Sequence, residues 1–235
     1  QRNMETIIPK GSDEVNANDI VYFITTKEYI TEVRDQAGKE VINVKDVMFM
    51  GGGNITVKTV KSLPKDIDVK ILEHNKLRIN HLIEKVDNAM IINGDARDLQ
   101  ILKEENIEQM DAFVALSENS EANILSCLAA KRFGLQKTIA EVENIDYIQL
   151  AESLDIGTII NKKMLAASYI YQYTLDADVH NVKGLTHVDA EVVELTAKKD
   201  SPITKGKIMD IKLPKNIFIG GVVRNGVGFI ANGQT

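Results

Sequence analysis

Residues 47–160 alternate between short apolar runs and longer stretches with apolar residues at three- and four-residue spacing. Short apolar runs indicate buried strands, and the longer spacing indicates amphipathic helices. Strands alternating with helices favour a parallel sheet that is covered on both faces. The pattern therefore predicts a doubly wound α/β domain. The six predicted strands span 47–50, 69–72, 89–92, 112–116, 138–142 and 158–160.

The flanking regions have a different pattern. Before the α/β region we predict a strand over 20–24 and a short helix capped by Thr25 or Thr26. After it we predict a long helix from Lys162 to about residue 175, and then a second β-rich region. Within that region, strands are predicted over 188–195 and 217–223. The chain therefore reads as a large domain followed by a smaller αβ lobe.

The two ends of the chain resemble each other. Residues 2–13 align without gaps with residues 224–235, an offset of 222 residues, and Arg2, Asn3, Ile8 and Gly11 recur at identical positions. Chance similarity between two hairpins is the alternative, but the shared register favours a true repeat. The chain also begins with Gln1 instead of Met. We therefore expect one full repeat plus an overlap of about 13 residues, cut inside a small lobe.

Composition excludes several classes of protein. A hydrophobic fraction of 44% is typical of a globular chain and argues against disorder. The single Cys127 excludes a disulfide framework and a cysteine-rich zinc module. The formal net charge of −6 argues against a nucleic-acid partner. No run of 18 apolar residues and no signal-peptide layout is found, which argues against membrane insertion.

A glycine-rich loop follows the first predicted strand of the α/β domain. Its sequence is Gly-Gly-Gly-Asn-Ile-Thr over residues 51–56. Gly51 and Gly53 occupy the first two positions that a dinucleotide-binding turn needs, and Thr56 stands at the third. Phosphates bind such a loop through the free N–H groups at the start of the next helix. We expect the Cβ and hydroxyl of Thr56 to push that helix away from the strand.

Acidic and polar residues follow the next three strands. Glu73 ends the second strand, Asp95 follows the third and Ser117 follows the fourth. In doubly wound sheets these ends share the carboxyl edge, where ligands bind. Taken singly, each residue is as easily a helix cap or a solvated loop residue. Their shared placement predicts a nucleotide-type ligand.

The sequence contains no motif for phosphate transfer, for a tyrosine-lysine dehydrogenase or for a metal site. No Walker-type Gly-Lys-Ser/Thr is present, and no tyrosine is followed four residues later by lysine. His74 and His81 lie seven residues apart, without metal-ligand spacing to Cys127, and are read as surface residues. We therefore predict no catalytic residue and no metal site.

Several short motifs occur in a characteristic order along the chain. They are 51–55, 71–75 with Arg78, 93–96, 115–117 with Glu121 and Asn123, 128–131, 201–203 with Gly206 and Lys207, and 224–226. Through these motifs the chain resembles the cytoplasmic regulators of potassium conductance (RCK domains), specifically those of Trk-type potassium uptake systems. Residues 2–34 resemble the end of a preceding lobe of the same kind.

The resemblance implies a Rossmann-like nucleotide-binding domain with a crossover helix and a small αβ C-terminal lobe. The implied domains are the tail of a preceding C-terminal lobe (1–35), a linker (36–46), the Rossmann-like domain (47–178) and a truncated C-terminal lobe (179–235). In this family such a pair of lobes occurs twice per polypeptide, in agreement with the repeat.

The resemblance also implies a ligand and its contacts. The ligand is NAD or NADH, or an adenine nucleotide such as ATP or ADP. The implied cofactor-binding residues are Gly51, Gly53 and Asn54 at the phosphates with Ile55 beside them, Glu73 at the ribose with His74 beside it, Asp95 and Ala96 at the adenine, and Ser117 in the pyrophosphate cleft. Two positions depart from the family pattern. Thr56 stands in place of the third glycine, and Glu141 stands where many members carry a basic residue.

The implied role is regulatory instead of enzymatic. A homo-oligomer, either a dimer or a larger ring, would lie on the cytoplasmic side of the membrane under a potassium-translocating membrane subunit. Nucleotide binding would change its shape and so gate transport, with coupling of about 1–3 kcal/mol per site. Two alternatives stay open: an NAD(P)-dependent oxidoreductase, and a non-binding oligomerisation scaffold with a degenerate Rossmann domain.

Overall fold

A computed structural model describes residues 7–9, 12–17, 19–38, 43–174, 179–184, 190–214 and 216–235. The chain divides into two compact units. One unit is Ile42–Leu165, and the other combines Gln1–Val41 with Ala166–Thr235. Among the described residues outside 172–189, every buried one lies between Val47 and Asn161, inside the first unit.

The first unit is built on a six-stranded parallel sheet with the strand order β3-β2-β1-β4-β5-β6. Strands β2 and β3 follow on one side of β1, and β4, β5 and β6 on the other, so β1 and β4 flank the switch point of the sheet. The crevice at such a switch point is where doubly wound sheets bind ligands. The doubly wound, Rossmann-like fold predicted from the sequence is confirmed. The strands are β1 (Asp46–Met50), β2 (Asp68–Glu73), β3 (Met90–Asn93), β4 (Ala112–Ala115), β5 (Lys137–Glu141) and β6 (Thr158–Ile160).

Helices α2 to α6 cover both faces of this sheet. In chain order the described helices are α1 (Ile30–Gln36) in the second unit, then α2 (Asn54–Ser62), α3 (Lys76–Lys85), α4 (Leu99–Glu104), α5 (Ser120–Arg132), α6 (Asp146–Ser153) and α7 (Lys162–Thr174). Alternate residues of β1 point to opposite faces, as the pleat requires. Val47 and Phe49 pack with residues of α2 and α3, whereas Met48 and Met50 pack with residues of α4, α5 and α6.

Side-chain caps fix where several helices begin. Asp98 accepts a hydrogen bond from the Gln100 N–H at 2.9 Å and caps α4. Gly134 has φ +99° directly after α5, as expected of a glycine that ends a helix. Asn119 caps α5, since its side chain accepts from the Ala122 N–H at 2.6 Å.

The second unit contains α1 and two antiparallel hairpins. The hairpin strands are β7 (Val179–Gly184), β8 (Glu191–Leu195), β9 (Gly221–Arg224) and β10 (Val227–Ile230). Asn225 and Gly226, both at positive φ, make the two-residue turn between β9 and β10.

Two sequence predictions in this unit differ from the structure. Residues 20–24 carry no strand, although Ile24 packs so closely on Gly220 that a Cβ there would collide with it. The strand predicted over 217–223 begins only at Gly221. Of the strand predicted over 188–195, residues 188 and 189 lie outside the described residues. Within the described part of the chain, no helix is long and apolar enough to cross a membrane.

Candidate functional site

The loop after β1 turns sharply at Gly51. Gly51 has φ +98°, a conformation that favours glycine, and a Cβ there would lie 3.0 Å from both the Leu116 carbonyl oxygen and the Ser117 nitrogen. The Gly51 N–H donates to the Leu72 carbonyl at 2.9 Å. Leu116 donates to the Met50 carbonyl at 2.8 Å. The loop is therefore pressed against the ends of β2 and β4 at the switch point.

Glu73 holds this loop from the neighbouring strand. Its carboxylate accepts the Gly52 N–H at 2.7 Å and the Asn75 N–H at 2.8 Å, and the residue is only 2% exposed. A Cβ on Gly52 would come within 2.5 Å of Leu82 Cδ1 and 3.2 Å of the Glu73 side chain. A larger residue at Gly52 would therefore have to displace the buried Leu82 side chain, although the sequence motif singled out Gly51 and Gly53. Each carboxylate oxygen keeps a second lone pair for a ligand hydroxyl.

Gly53 is different, because nothing lies within 4 Å of the position where its Cβ would be. It is the N-terminal cap of α2, in an extended conformation and without a side-chain capping hydrogen bond. The first N–H groups of a helix have no partner inside that helix. The loop therefore presents free N–H groups beside open space, which is the arrangement that binds phosphate.

Thr56 is accommodated at the third motif position. It is fully buried, and its hydroxyl donates to the Gly51 carbonyl at 2.6 Å. This bond satisfies the buried hydroxyl and ties the first turn of α2 to the loop.

Asp95 and Arg97 form an ion pair after β3. The guanidinium Nη2 lies 2.5 Å from Asp95 Oδ2, and Nε lies 2.9 Å from Oδ1. The hydrogen bonds from the Arg97 side chain lower the pKa of Asp95 to about 2. Asp95 therefore stays ionised at neutral pH, and Arg97 balances its charge.

A second ion pair involves α3 and the loop after β4. Arg78, in the first turn of α3, places Nη2 2.5 Å from Glu118 Oε1. The side chain of Glu118 is 82% exposed, so the pair is open to exchange. An anionic ligand could therefore replace Glu118 as the partner of Arg78.

The two ion pairs, Asp95–Arg97 and Arg78–Glu118, line a cavity of about 380 Å³ at the carboxyl edge of the sheet. Of the site residues predicted from the sequence, the cavity brings together Gly51, Glu73, His74, Asp95, Ala96 and Ser117. Gly53, Asn54 and Ile55 do not line it but form the adjoining start of α2. His74 is largely exposed, with Nδ1 3.4 Å from Glu73 Oε1.

Sequence reasoning missed part of this site. Arg97 lines the cavity and neutralises Asp95, but its role depends on a turn that no motif identified. Asn123 does not line the cavity but holds Ser117, with its Oδ1 2.5 Å from the Ser117 hydroxyl oxygen. The presence of Asn123 in the family motif was the available signal, although the motif gave it no role.

Glu141 is buried at the end of β5, 3% exposed, and pairs with Lys162 at the start of α7. Lys162 Nζ lies 2.6 Å from Glu141 Oε1 and 2.5 Å from Glu143 Oε1. The hydrogen bond to Glu141 is the main reason why the pKa of Lys162 is raised, so the ammonium stays charged. The acidic residue that departs from the family pattern thus has a local cationic partner.

Comparison with solved structures finds related folds at low sequence identity. The TrkA-N domain of the inner membrane protein ybaL from Escherichia coli is 15% identical, with a TM-score of 0.49 over 57% of this chain and 100% of that one. The RCK domain of GsuK is 17% identical, with a TM-score of 0.48 over 55% of this chain and 28% of that one.

Comparison with curated proteins finds relatives along nearly the whole chain. The Trk system potassium uptake protein TrkA of Haemophilus influenzae is 35% identical over 99% of this chain and 52% of the relative. The protein of the same name from Vibrio alginolyticus is 33% identical over 100% of this chain and 52% of the relative. The chain spans about half the length of the curated relatives it matches.

The family model described as the TrkA-N domain matches residues 47–162. This range begins in β1 and ends at the first residue of α7, so it contains the whole parallel sheet and the cavity. The resemblance inferred from the motifs is confirmed over this range: residues 47–162 match the TrkA-N domain.

Proposed function

We propose that this chain is part of a regulatory subunit of a potassium uptake system, and that nucleotide binding in its TrkA-N domain gates a membrane potassium-translocating subunit. The names of the relatives support the potassium uptake role. The observation that carries the nucleotide role is Gly53, which offers free N–H groups beside open space at the edge of the cavity.

In this proposal the ligand lies across the loop after β1. Its phosphates bind the N–H groups of Gly53, Asn54 and Ile55, where the helix dipole favours negative charge. A ribose hydroxyl donates to the Glu73 carboxylate, and the adenine lies against Asp95 and Ala96. Arg78 then exchanges Glu118 for a ligand oxygen. NAD or NADH is the preferred ligand class, with ATP or ADP as competitors for the same half of the cavity.

Nucleotide binding acts by shifting populations. A ligand biases a regulatory subunit only through its different affinity for two conformations, typically about 1–3 kcal/mol per site. No bond of the nucleotide has to break, so we infer a regulator instead of an enzyme. The subunit would work as a homo-oligomer at the cytoplasmic face of the membrane. Exposed apolar side chains such as Leu77, Ile83 and Leu125 favour association with further protein surface.

Titration calorimetry with NAD, NADH, ATP and ADP on the purified chain tests the ligand part of the proposal. The informative variant is Gly53→Ala, because its methyl group meets no protein atom but occupies the approach to the helix N-terminus. We expect binding to weaken by about tenfold or more through steric conflict with the phosphates. A matched control is Gly206→Ala in the second unit. Its Cβ would lie 3.7 Å from Asp210 Cβ, which is an ordinary van der Waals contact.

The alternatives give different results in the same experiment. If none of the four nucleotides binds at millimolar concentration, the chain is a non-binding scaffold and the proposal is wrong. An oxidoreductase would oxidise or reduce the nicotinamide in the presence of a substrate, which absorbance at the reduced nicotinamide band detects. The gating part is tested by potassium uptake in cells, where Gly53→Ala should remove the nucleotide response while Gly206→Ala keeps it.

A further inference from the structure

Asn123 uses both polar atoms of its side chain inside the protein. The residue is fully buried in the first turn of α5. Its Nδ2 donates to the Ser117 carbonyl at 2.9 Å and to the Glu141 carbonyl at 2.8 Å. Its Oδ1 accepts from the Ser117 N–H at 3.1 Å and lies 2.5 Å from the Ser117 hydroxyl. One amide thus joins the loop after β4 to the end of β5.

These partners fix the orientation of the amide. Backbone carbonyls only accept hydrogen bonds, so the NH₂ group must face Ser117 O and Glu141 O. The Oδ1 atom then faces the Ser117 N–H and hydroxyl, and an amide oxygen only accepts. The hydroxyl of Ser117 must therefore donate its single proton to Asn123. The competing contact, from the hydroxyl to the Asn119 carbonyl at 3.4 Å, is much longer.

This arrangement sets the hydrogen-bonding character of Ser117 toward the cavity that it lines. Its N–H and its hydroxyl proton are both committed to Asn123. One lone pair of the hydroxyl oxygen receives the Asn119 N–H at 3.3 Å, which leaves one free for a ligand. Phosphate oxygens at neutral pH are also acceptors, so Ser117 cannot bind them through a hydrogen bond.

We propose that Asn123 is a specificity-determining residue of the nucleotide site: it fixes Ser117 as an acceptor, so Ser117 receives a sugar hydroxyl of the ligand and not a phosphate. The proposal rests on the proposed nucleotide function. It changes the role that the family resemblance implied for Ser117, from the pyrophosphate to a ribose. Asn123 acts through Ser117 and is therefore a positioning residue.

The strand order identifies which sugar this is. Glu73 ends β2 on one side of β1, and Ser117 follows β4 on the other side. With the phosphates on the loop between them, the sugar at Ser117 belongs to the second nucleoside of a dinucleotide. ADP has only one nucleoside, which lies on the Glu73 side. Ser117 should therefore contribute to NAD binding and not to ADP binding.

Calorimetric titration of NAD and ADP into the wild-type chain and Ser117→Ala tests this inference. We expect Ser117→Ala to weaken NAD binding by roughly three- to tenfold, the effect of one neutral hydrogen bond, and to leave ADP binding unchanged. Ser117→Thr keeps the hydroxyl and should restore NAD binding. The control is Ser153→Ala at the end of α6, whose exposed hydroxyl donates to Leu150 O at 2.7 Å.

Asn123→Ala tests the positioning role and should reduce the preference for NAD over ADP by a similar factor, because the freed Ser117 proton can then turn toward a phosphate. If this variant does not fold, the comparison of Ser117→Ala with Ser117→Thr decides the inference. Equal weakening of NAD and ADP by Ser117→Ala would show a phosphate contact and overturn it. An unchanged NAD affinity in Ser117→Ala would also overturn it while leaving the proposed function intact. If neither nucleotide binds the wild-type chain, both proposals fail.

Discussion

The three consecutive glycines after β1 meet three different surroundings. Gly51 needs a positive φ and lies against backbone atoms of the loop after β4. Gly52 faces the side chains of Leu82 and Glu73, and Gly53 faces open space. The first two glycines therefore serve the packing of the loop, and the third leaves room for a ligand.

At Gly51 the substitution Gly51→Ala should destabilise the protein by about 2–4 kcal/mol, from backbone strain plus contact with rigid backbone atoms. Urea unfolding followed by circular dichroism measures the change. Gly53→Ala is the matched control and should cost less than about 1 kcal/mol, because alanine is only a poorer helix cap. Equal losses for the two variants would contradict this interpretation of the loop.

Asp95 gives a prediction for pH. Its pKa in the folded protein is about 2, below the ordinary value of 3.8, because the Arg97 side chain donates hydrogen bonds to it. A lowered pKa stabilises the folded state above about pH 3.8, and this stabilisation is lost as the pH falls toward 2. In Arg97→Gln the pKa should move up toward 3.8. NMR titration of the Asp95 carboxyl measures it, and an unchanged pKa would show that Arg97 is not the cause.

Sequence patterns predicted the acidic and polar residues of the site but not how they are used. Glu73, Asp95 and Ser117 were found because each follows a strand, and parallel strands bring their ends together. The close packing at Gly52 depends on Leu82, which lies 30 residues further along the chain. The role of Asn123 depends on one carbonyl in the loop after β4 and another at the end of β5. Contacts of this kind arise from tertiary packing and leave no local spacing to recognise.

At the scale of elements, polar contacts at the end of β5 fix the start of α7. Asn161 donates to the Val142 carbonyl at 2.7 Å, and its Oδ1 accepts from the Met164 N–H at 2.9 Å. Lys162 adds its ion pairs with Glu141 and Glu143. Asn123 also donates a hydrogen bond to the carbonyl of Glu141. The end of β5 therefore contacts both the residue that holds the cavity loop and the start of α7.

Removing the charge of Lys162 should destabilise the first unit. Lys162→Met leaves the buried Glu141 carboxylate without its cation, which typically costs about 3–5 kcal/mol in a fully buried pair. The side chain of Lys162 is 43% exposed, so solvent screening reduces our expectation to about 1–3 kcal/mol.

Lys163→Met is the control for this measurement, since Lys163 is 68% exposed and lies 4.0 Å from Glu143. Urea unfolding at neutral pH should show little change for it. If Lys162→Met and Lys163→Met unfold at the same urea concentration as the wild type, the ion pair with Glu141 contributes nothing to stability.

Elements with a local signal were predicted well, and those that depend on a partner were not. The strands of the parallel sheet were all found within one or two residues of their observed bounds, because each is a short, mainly apolar stretch between polar segments. Residues 20–24 have a similar run, but Ile20, Phe23 and Ile24 are about half exposed and form no strand. An apolar run becomes a strand only where a neighbouring strand completes its hydrogen bonds.

At the scale of the whole molecule, burial is distributed unevenly. Two clusters of buried apolar side chains lie on the two faces of the parallel sheet, and all their members fall within Ile42–Leu165. Outside residues 172–189, the described residues of the second unit include none that is buried. Side chains such as Phe23, Val193 and Phe218 are instead about half exposed or more. The energy that hydrophobic burial contributes to folding is therefore concentrated in the first unit.

The first unit should accordingly fold when residues 42–165 are produced alone. Its sheet has all six strands paired within the unit, and both of its faces are covered by helices of the same unit. A domain of this size usually unfolds in one cooperative transition. Thermal unfolding by circular dichroism should be cooperative. If NAD binds the whole chain as proposed, it should raise the melting temperature of this unit as well, because the cavity residues are all present. A broad transition with loss of near-ultraviolet circular dichroism would show instead that the second unit is needed to order this core.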